Sequence, residues 1–168
     1  VLWQSQLIER SEVISSFFAP TLVLYKGVVL FAGGETAGMQ TGSWYTSGKD
    51  TLTALSAEDG KILWQAYHPP SGYRSPEDVL VAGGIVWCGE TTSGRVAGLF
   101  TGRDPFTGKV VPQFASDVNI YWFHHRCYRG KATERYLLMS RVGIEFIDYA
   151  KKHWIPNHWV RGACLYGV

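Results

Sequence analysis

Apolar and polar residues along this chain fall into short runs, each closed by a turn that contains glycine. The segments APTLVLYKGVVLFAGGE (19–35) and EDVLVAGGIVWCGE (77–90) are each two β-branched stretches, divided by Lys26-Gly27 in the first and Gly83-Gly84 in the second. Two such stretches around a two-residue glycine turn predict a β-hairpin. TERYLLMSRVGIEFID (133–148) predicts the next hairpin, and VRGACLYGV (160–168) the start of another. No segment carries a 3.6-residue apolar period between caps, and the nearest, YAKKHWIPNHW, is interrupted by Pro156. The expectation is an all-β chain with little helix.

The pattern also repeats. TLTALSAEDGKILWQ (51–65) has a counterpart in LFTGRDPFTGKVVPQ (99–113), and setting Gly60 on Gly108, an offset of 48, puts Lys61 on Lys109 and Ser56 on Asp104. A weaker third copy is RVGIEFIDYAKK (141–152), where Asp148 follows Asp104 at an offset of 44. Val1-Leu2-Trp3 matches Ile62-Leu63-Trp64 as the tail of an earlier copy, and the interval of 61 is longer because Gly38 to Lys49 reads as a polar, Gly-rich insertion. A period of this length made only of strand-like segments predicts propeller blades of four strands each. The expected units are residues 4–64, 65–112 and 113–156, with the next beginning at 157–168. The expectation is that residues 1–168 are part of one propeller domain, truncated at both ends.

The repeats carry a family resemblance. ALSAEDGKILW (54–64) and GRDPFTGKVV (102–111) resemble the A-x-D-x-x-T-G-x-x-x-W repeat of pyrroloquinoline-quinone-like propellers. In such a turn Asp and Thr side chains bond the turn amides, glycine supplies a positive φ, and the tryptophan closes a strand and packs on the next blade. The structural residues so assigned are Ser56, Asp59, Gly60, Lys61 and Trp64 in the first copy, Asp104, Thr107, Gly108 and Lys109 in the second, and Asp148 in the third. Three departures stand out: Ser56 where Asp is usual, Pro112 where Trp is usual, and Lys152 where Gly is usual. HHRCYRGKATERYLLMSRVGIEFID and NHWVRGACLYGV resemble quinoprotein-like propellers of planctomycete-type bacteria, described as envelope proteins of unknown activity. The resemblance implies a partial propeller, about three blades of a seven- or eight-bladed ring, whose complete chain is more than twice this length.

Composition agrees with short strands and tight turns. Of 168 residues, 18% are charged, and Gly (19), Trp (7) and Tyr (9) are plentiful. A net charge of +2 is too small for nucleic acid or an acidic membrane as partner. No run approaches a membrane span, and the first residues have no leader pattern. Any targeting signal is expected upstream, and the family resemblance implies a periplasmic or other extracytoplasmic place.

Candidate chemistry is sparse. Dehydrogenases of the resembled family hold the quinone on the propeller axis beneath a bridged pair of adjacent cysteines, with calcium on Glu, Asn and Asp. Cys88, Cys127 and Cys164 are not adjacent to one another, and no acidic residue lies in a motif specific to that calcium. No cofactor is therefore expected, with pyrroloquinoline quinone and calcium as the less favoured alternative. His124-His125-Arg126-Cys127 is the densest group of ligand types, and on a strand His125 and Cys127 share a face. The competing readings are polar loop residues beside a buried thiol, and a Cys127–Cys164 disulfide in an oxidising envelope. Glu145 and Asp148, three apart, point to opposite faces of a strand and make no acid/base pair. Arg126, Arg129, Lys131, Arg135 and Arg141, interleaved with Glu134, read as a solvated rim. The resulting expectation is a non-catalytic segment acting as a rigid interaction scaffold in the bacterial envelope, its partners the remaining blades and envelope proteins. The alternatives are a quinone- and calcium-dependent dehydrogenase of alcohols or sugars, and a metal or redox site at His125 and Cys127.

Overall fold

The computed structural model describes residues 1–4, 21–32, 51–68, 78–89, 99–118, 129–139 and 143–163. These form twelve strands and, among the described residues, no helix. The first sheet holds β1 (Thr21–Tyr25), β2 (Val28–Ala32), β3 (Thr51–Ser56) and β4 (Ile62–Tyr67). The second holds β5 (Leu80–Ala82), β6 (Ile85–Gly89), β7 (Leu99–Arg103) and β8 (Val110–Ala115). The third holds β9 (Lys131–Ala132), β10 (Tyr136–Met139), β11 (Glu145–Asp148) and β12 (His153–Ile155). Each sheet is an antiparallel meander in which chain order is strand order.

The turns follow from local backbone chemistry. Lys26-Gly27 and Gly83-Gly84 all have positive φ, 44° and 81° in the first pair and 59° and 74° in the second. Two successive left-handed residues make the turn whose twist matches a right-handed hairpin. The β3–β4 and β7–β8 hairpins also share an irregularity, a register shift at Ala54/Leu55 and again at Thr101/Arg103. The hairpin expected within 133–148 is β10 with β11, the second and third strands of its sheet, after the two-residue β9.

Side chains alternate between the two faces of each sheet. In the first sheet Val28, Leu30, Ala32, Leu52, Ala54 and Trp64 turn toward the second, where they meet Val79, Val86 and Cys88. The other side of the second sheet, with Trp87, Phe100 and Phe114, packs on Leu137, Met139, Ile147 and Trp154 of the third. Strand β6 is thus covered on both faces, Val86 and Cys88 on one and Trp87 on the other. This is why IVWCG is an unbroken apolar run rather than an alternating one. Each side chain of this size contributes about 1.5–3 kcal/mol on burial. The far face of the first sheet is open among the described residues, with Leu22 and Leu24 of β1 at 64% and 66% exposure.

Candidate functional site

The repeat turns form a joint between sheets. Ser56 Oγ accepts the amides of Glu58 and Asp59 at 3.3 and 3.4 Å. Asp104 Oδ1 does the same for Phe106 and Thr107 at 2.9 and 2.8 Å, and also takes the Thr107 hydroxyl at 3.0 Å. In the third turn Asp148 Oδ1 accepts the Lys151 amide at 3.1 Å. The serine therefore does the carboxylate's work with weaker, longer bonds. Asp59 accepts the Lys61 amide at 3.2 Å and pairs with the Lys61 ammonium at 2.6 Å, and its carboxyl is lowered to about 2. Lys109 is held differently, its amide bonding Thr107 Oγ1 at 3.4 Å.

Gly60 and Gly108 have φ of 72° and 70°, and Lys152, at the matching place in the third turn, has 56°. Over the first two turns lies a tryptophan from outside their sheet. A β-carbon on Gly60 would stand 2.5 Å from the ring of Trp3, and one on Gly108 would stand 2.6 Å from the ring of Trp64. Each indole N–H then donates to a turn carbonyl, Trp3 to Ala57 and Trp64 to Pro105, both at 2.9 Å. Ala57 and Pro105 are themselves 48 residues apart, so the repeat includes the acceptor as well as the glycine. Trp64 lies within β4 rather than at its end, and Gln65 beyond it bonds Thr53 at 3.0 Å.

The third turn has neither partner. Pro112 occupies the tryptophan position and packs into the space beside Gly102, where a β-carbon would be 2.7 Å from its ring. Proline is tolerated there because β8 is an edge strand. The second and third sheets are joined instead by aromatic rings and a carboxylate. Trp87 contacts Phe114 and Tyr149, with centroids at 6.0 and 5.3 Å, and Phe100 meets Trp154 edge-on at 5.3 Å. Asp117, just beyond β8, accepts the Trp154 amide at 2.9 Å and lies 2.6 Å from His153 Nδ1. The bond to His153 first, and the Trp154 amide second, hold the Asp117 carboxyl below the usual carboxylate range.

A buried polar set ties the other end of the sheets together. His68 Nε2 lies 2.8 Å from the carbonyl of Asp78, and Asp78 Oδ2 accepts the Gly130 amide at 2.8 Å. Arg129 reaches from the third sheet to Thr21 Oγ1 of the first at 3.1 Å. Arg129 therefore serves as a cross-tie rather than as rim charge. Arg135 lies 3.4 Å from Asp148 and over the ring of Tyr136. Nothing in the spacing of His68, Asp78 or Asp117 marks them in the sequence, since each acts through a partner ten or more residues away.

Glu145 and Asp148 are both buried and lie at alternate sites of β11, with Glu145 accepting the Gly143 amide at 2.9 Å. They form no pair. Cys88 is a buried free thiol. His124, His125, Arg126, Cys127, Arg141 and Cys164, together with the Gly38–Lys49 insertion, lie outside the described residues. Among the described residues no three His, Cys, Asp or Glu converge as a metal set, and no helix is long and apolar enough to cross a membrane.

No protein-family model matches the chain, and no curated protein sequence matches it. Among solved structures it is similar to the crystal structure of BamB from Moraxella catarrhalis, at 19% identity and a TM-score of 0.47, over 77% of this chain. The chain spans about a third of that structure's length, 32%. The fold is all-β and propeller-like, three four-stranded antiparallel blades packed face to face in chain order.

Proposed function

We propose that the chain is a non-catalytic segment of a pyrroloquinoline-quinone-like propeller that serves as a rigid protein-interaction scaffold in the bacterial envelope. The observation that carries this reading is the tryptophan joint, made twice with the same glycine contact and the same indole bond at Gly60 and at Gly108. A joint that repeats with the sequence period holds neighbouring blades at one spacing, which is what a scaffold requires. Leu22, Leu24, Val29 and Phe31 stand where Val79, Val81, Val86 and Cys88 stand in the second sheet, counted from the Lys26-Gly27 and Gly83-Gly84 turns. Their exposed face is suited to another blade of the ring, with Trp3 already seated in the Gly60 turn beside it. Contacts to partner proteins fall to the end of the blades opposite the tight turns. Connections between strands at a blade end are where recognition is commonly built.

The test is reconstitution of the full-length protein with pyrroloquinoline quinone and calcium, followed by dye reduction with alcohols and sugars. The scaffold reading expects the same rate with and without the quinone. Quinone-dependent turnover would replace it with the dehydrogenase reading.

A further inference from the structure

The two junctions between blades are built from different chemistry. At the first, the Trp64 indole is bonded to Pro105 and stacked in the Gly108 turn, a neutral contact shielded from water. At the second, tryptophan and glycine are both replaced, by Pro112 and Lys152. A β-carbon at the turn glycine would collide with a docked indole, so the two replacements belong together: with the ring gone, the turn has room for a side chain. Each junction carries one buried nitrogen without a hydrogen-bond partner among the described residues, Arg103 Nε beside the Gly108 turn at the first and the Trp154 indole at the second. Trp154 is buried at 2% exposure, and its indole nitrogen has no hydrogen-bond partner among the described residues. An unpaired buried donor costs about 1–3 kcal/mol. Beside the aromatic packing of Trp154 on Phe100, Asp117 gives β12 a polar link to the second sheet, and its contacts with His153 and with the Trp154 amide cross 36 and 37 residues. Both side chains of that pair are about half exposed, 48% and 43%, and so open to water and protons.

We infer that Asp117 is a latch, and that the stack opens between the second and third sheets when this carboxylate releases His153 and Trp154, while the first junction stays closed. The charged groups around the latch are few. Asp148 faces His153 in the β11–β12 register and is occupied by Arg135 and the Lys151 amide, and Lys152 immediately precedes His153. No other carboxylate among the described residues bonds the Trp154 amide. Because the Asp117 carboxyl is held low, the latch is closed above the ordinary carboxylate range and loosens as pH falls through the lowered value. The inference concerns the junction alone and holds whatever the whole protein does.

Peptide-resolved hydrogen exchange on the full chain tests it. Asp117→Asn, nearly the same shape without the charge, is expected to speed exchange of Glu145–Ile155 by about ten-fold while leaving Thr51–Tyr67 unchanged. Lowering the pH from about 4 to about 2 should speed exchange of Glu145–Ile155 more in the wild type than in Asp117→Asn, after correction for intrinsic exchange. The latch is overturned if Asp117→Asn exchanges like the wild type, if the substitution loosens all three sheets together, or if the pH response of Glu145–Ile155 persists unaltered in the variant.

Discussion

The ring of Trp64 occupies the space that a β-carbon on Gly108 would need, 2.6 Å from the nearest ring atom, and the two residues come from adjacent sheets. Glycine at this place therefore meets two separate demands. Its φ of 70° is costly for other residues, and its missing side chain admits the indole. Gly27 meets only the first demand, since its φ is 81° and a β-carbon there would have nothing within 4 Å.

That contrast is measurable. Gly27→Ala is expected to cost about 1–2 kcal/mol, the backbone term alone, and Gly108→Ala clearly more. In urea unfolding, the excess at Gly108 should shrink when Trp64→Ala is added, because the collision then disappears. Equal costs for the two glycine variants would mean that the ring yields freely.

Trp64→Ala is expected to lower stability by about 3–5 kcal/mol, the range for deleting a large buried ring. Trp64→Phe keeps a ring but abandons the Pro105 carbonyl, and should cost about 1 kcal/mol for the lost bond plus a term for poorer packing. Denaturant midpoints at constant m-value would separate the two.

Lys152 holds a φ of 56° in a turn where, among the described residues, no tryptophan docks. Lys152→Gly is therefore expected to stabilise the protein by about 0.5–1 kcal/mol, the relieved backbone strain exceeding the added freedom of the unfolded chain. Differential scanning calorimetry would register a rise in Tm.

Acid should weaken the turns as well as the latch. Asp104 is lowered mainly by the Thr107 amide, Asp148 mainly by the Lys151 amide, and Asp59 to about 2 mainly by its bond with Lys61. Carboxyls that are lower in the folded state contribute stability above the ordinary carboxylate range and lose it as pH falls toward their folded values. Thermal melts should therefore drop between about pH 4 and about pH 2, and Asp104→Asn should flatten part of that drop. A Tm that holds constant across this window would rule out a stabilising role for these carboxylates.

Much of the fold was legible in the order of residues because the responsible interactions are local. Lys26-Gly27 and Gly83-Gly84 specify hairpins through backbone conformation alone, and Asp104 with Thr107 closes a turn within four residues. The repeat could also be read, since Gly60 and Gly108 each answer to a requirement that recurs with the period. What the tertiary structure decided is how the copies meet. Trp3 and Trp64 could be recognised as repeat residues, but that each lies over the next glycine turn and donates to Ala57 or Pro105 depends on the stacking of sheets. The replacements Pro112 and Lys152, separate departures in the sequence, become one event only when the turn and the ring are seen to share a space. Asp117, His68 and Asp78 were silent, and Arg129 was read as rim charge, for the same reason: a hydrogen bond between residues far apart in the chain leaves no spacing behind, because the distance between its ends is set by packing and not by the chain.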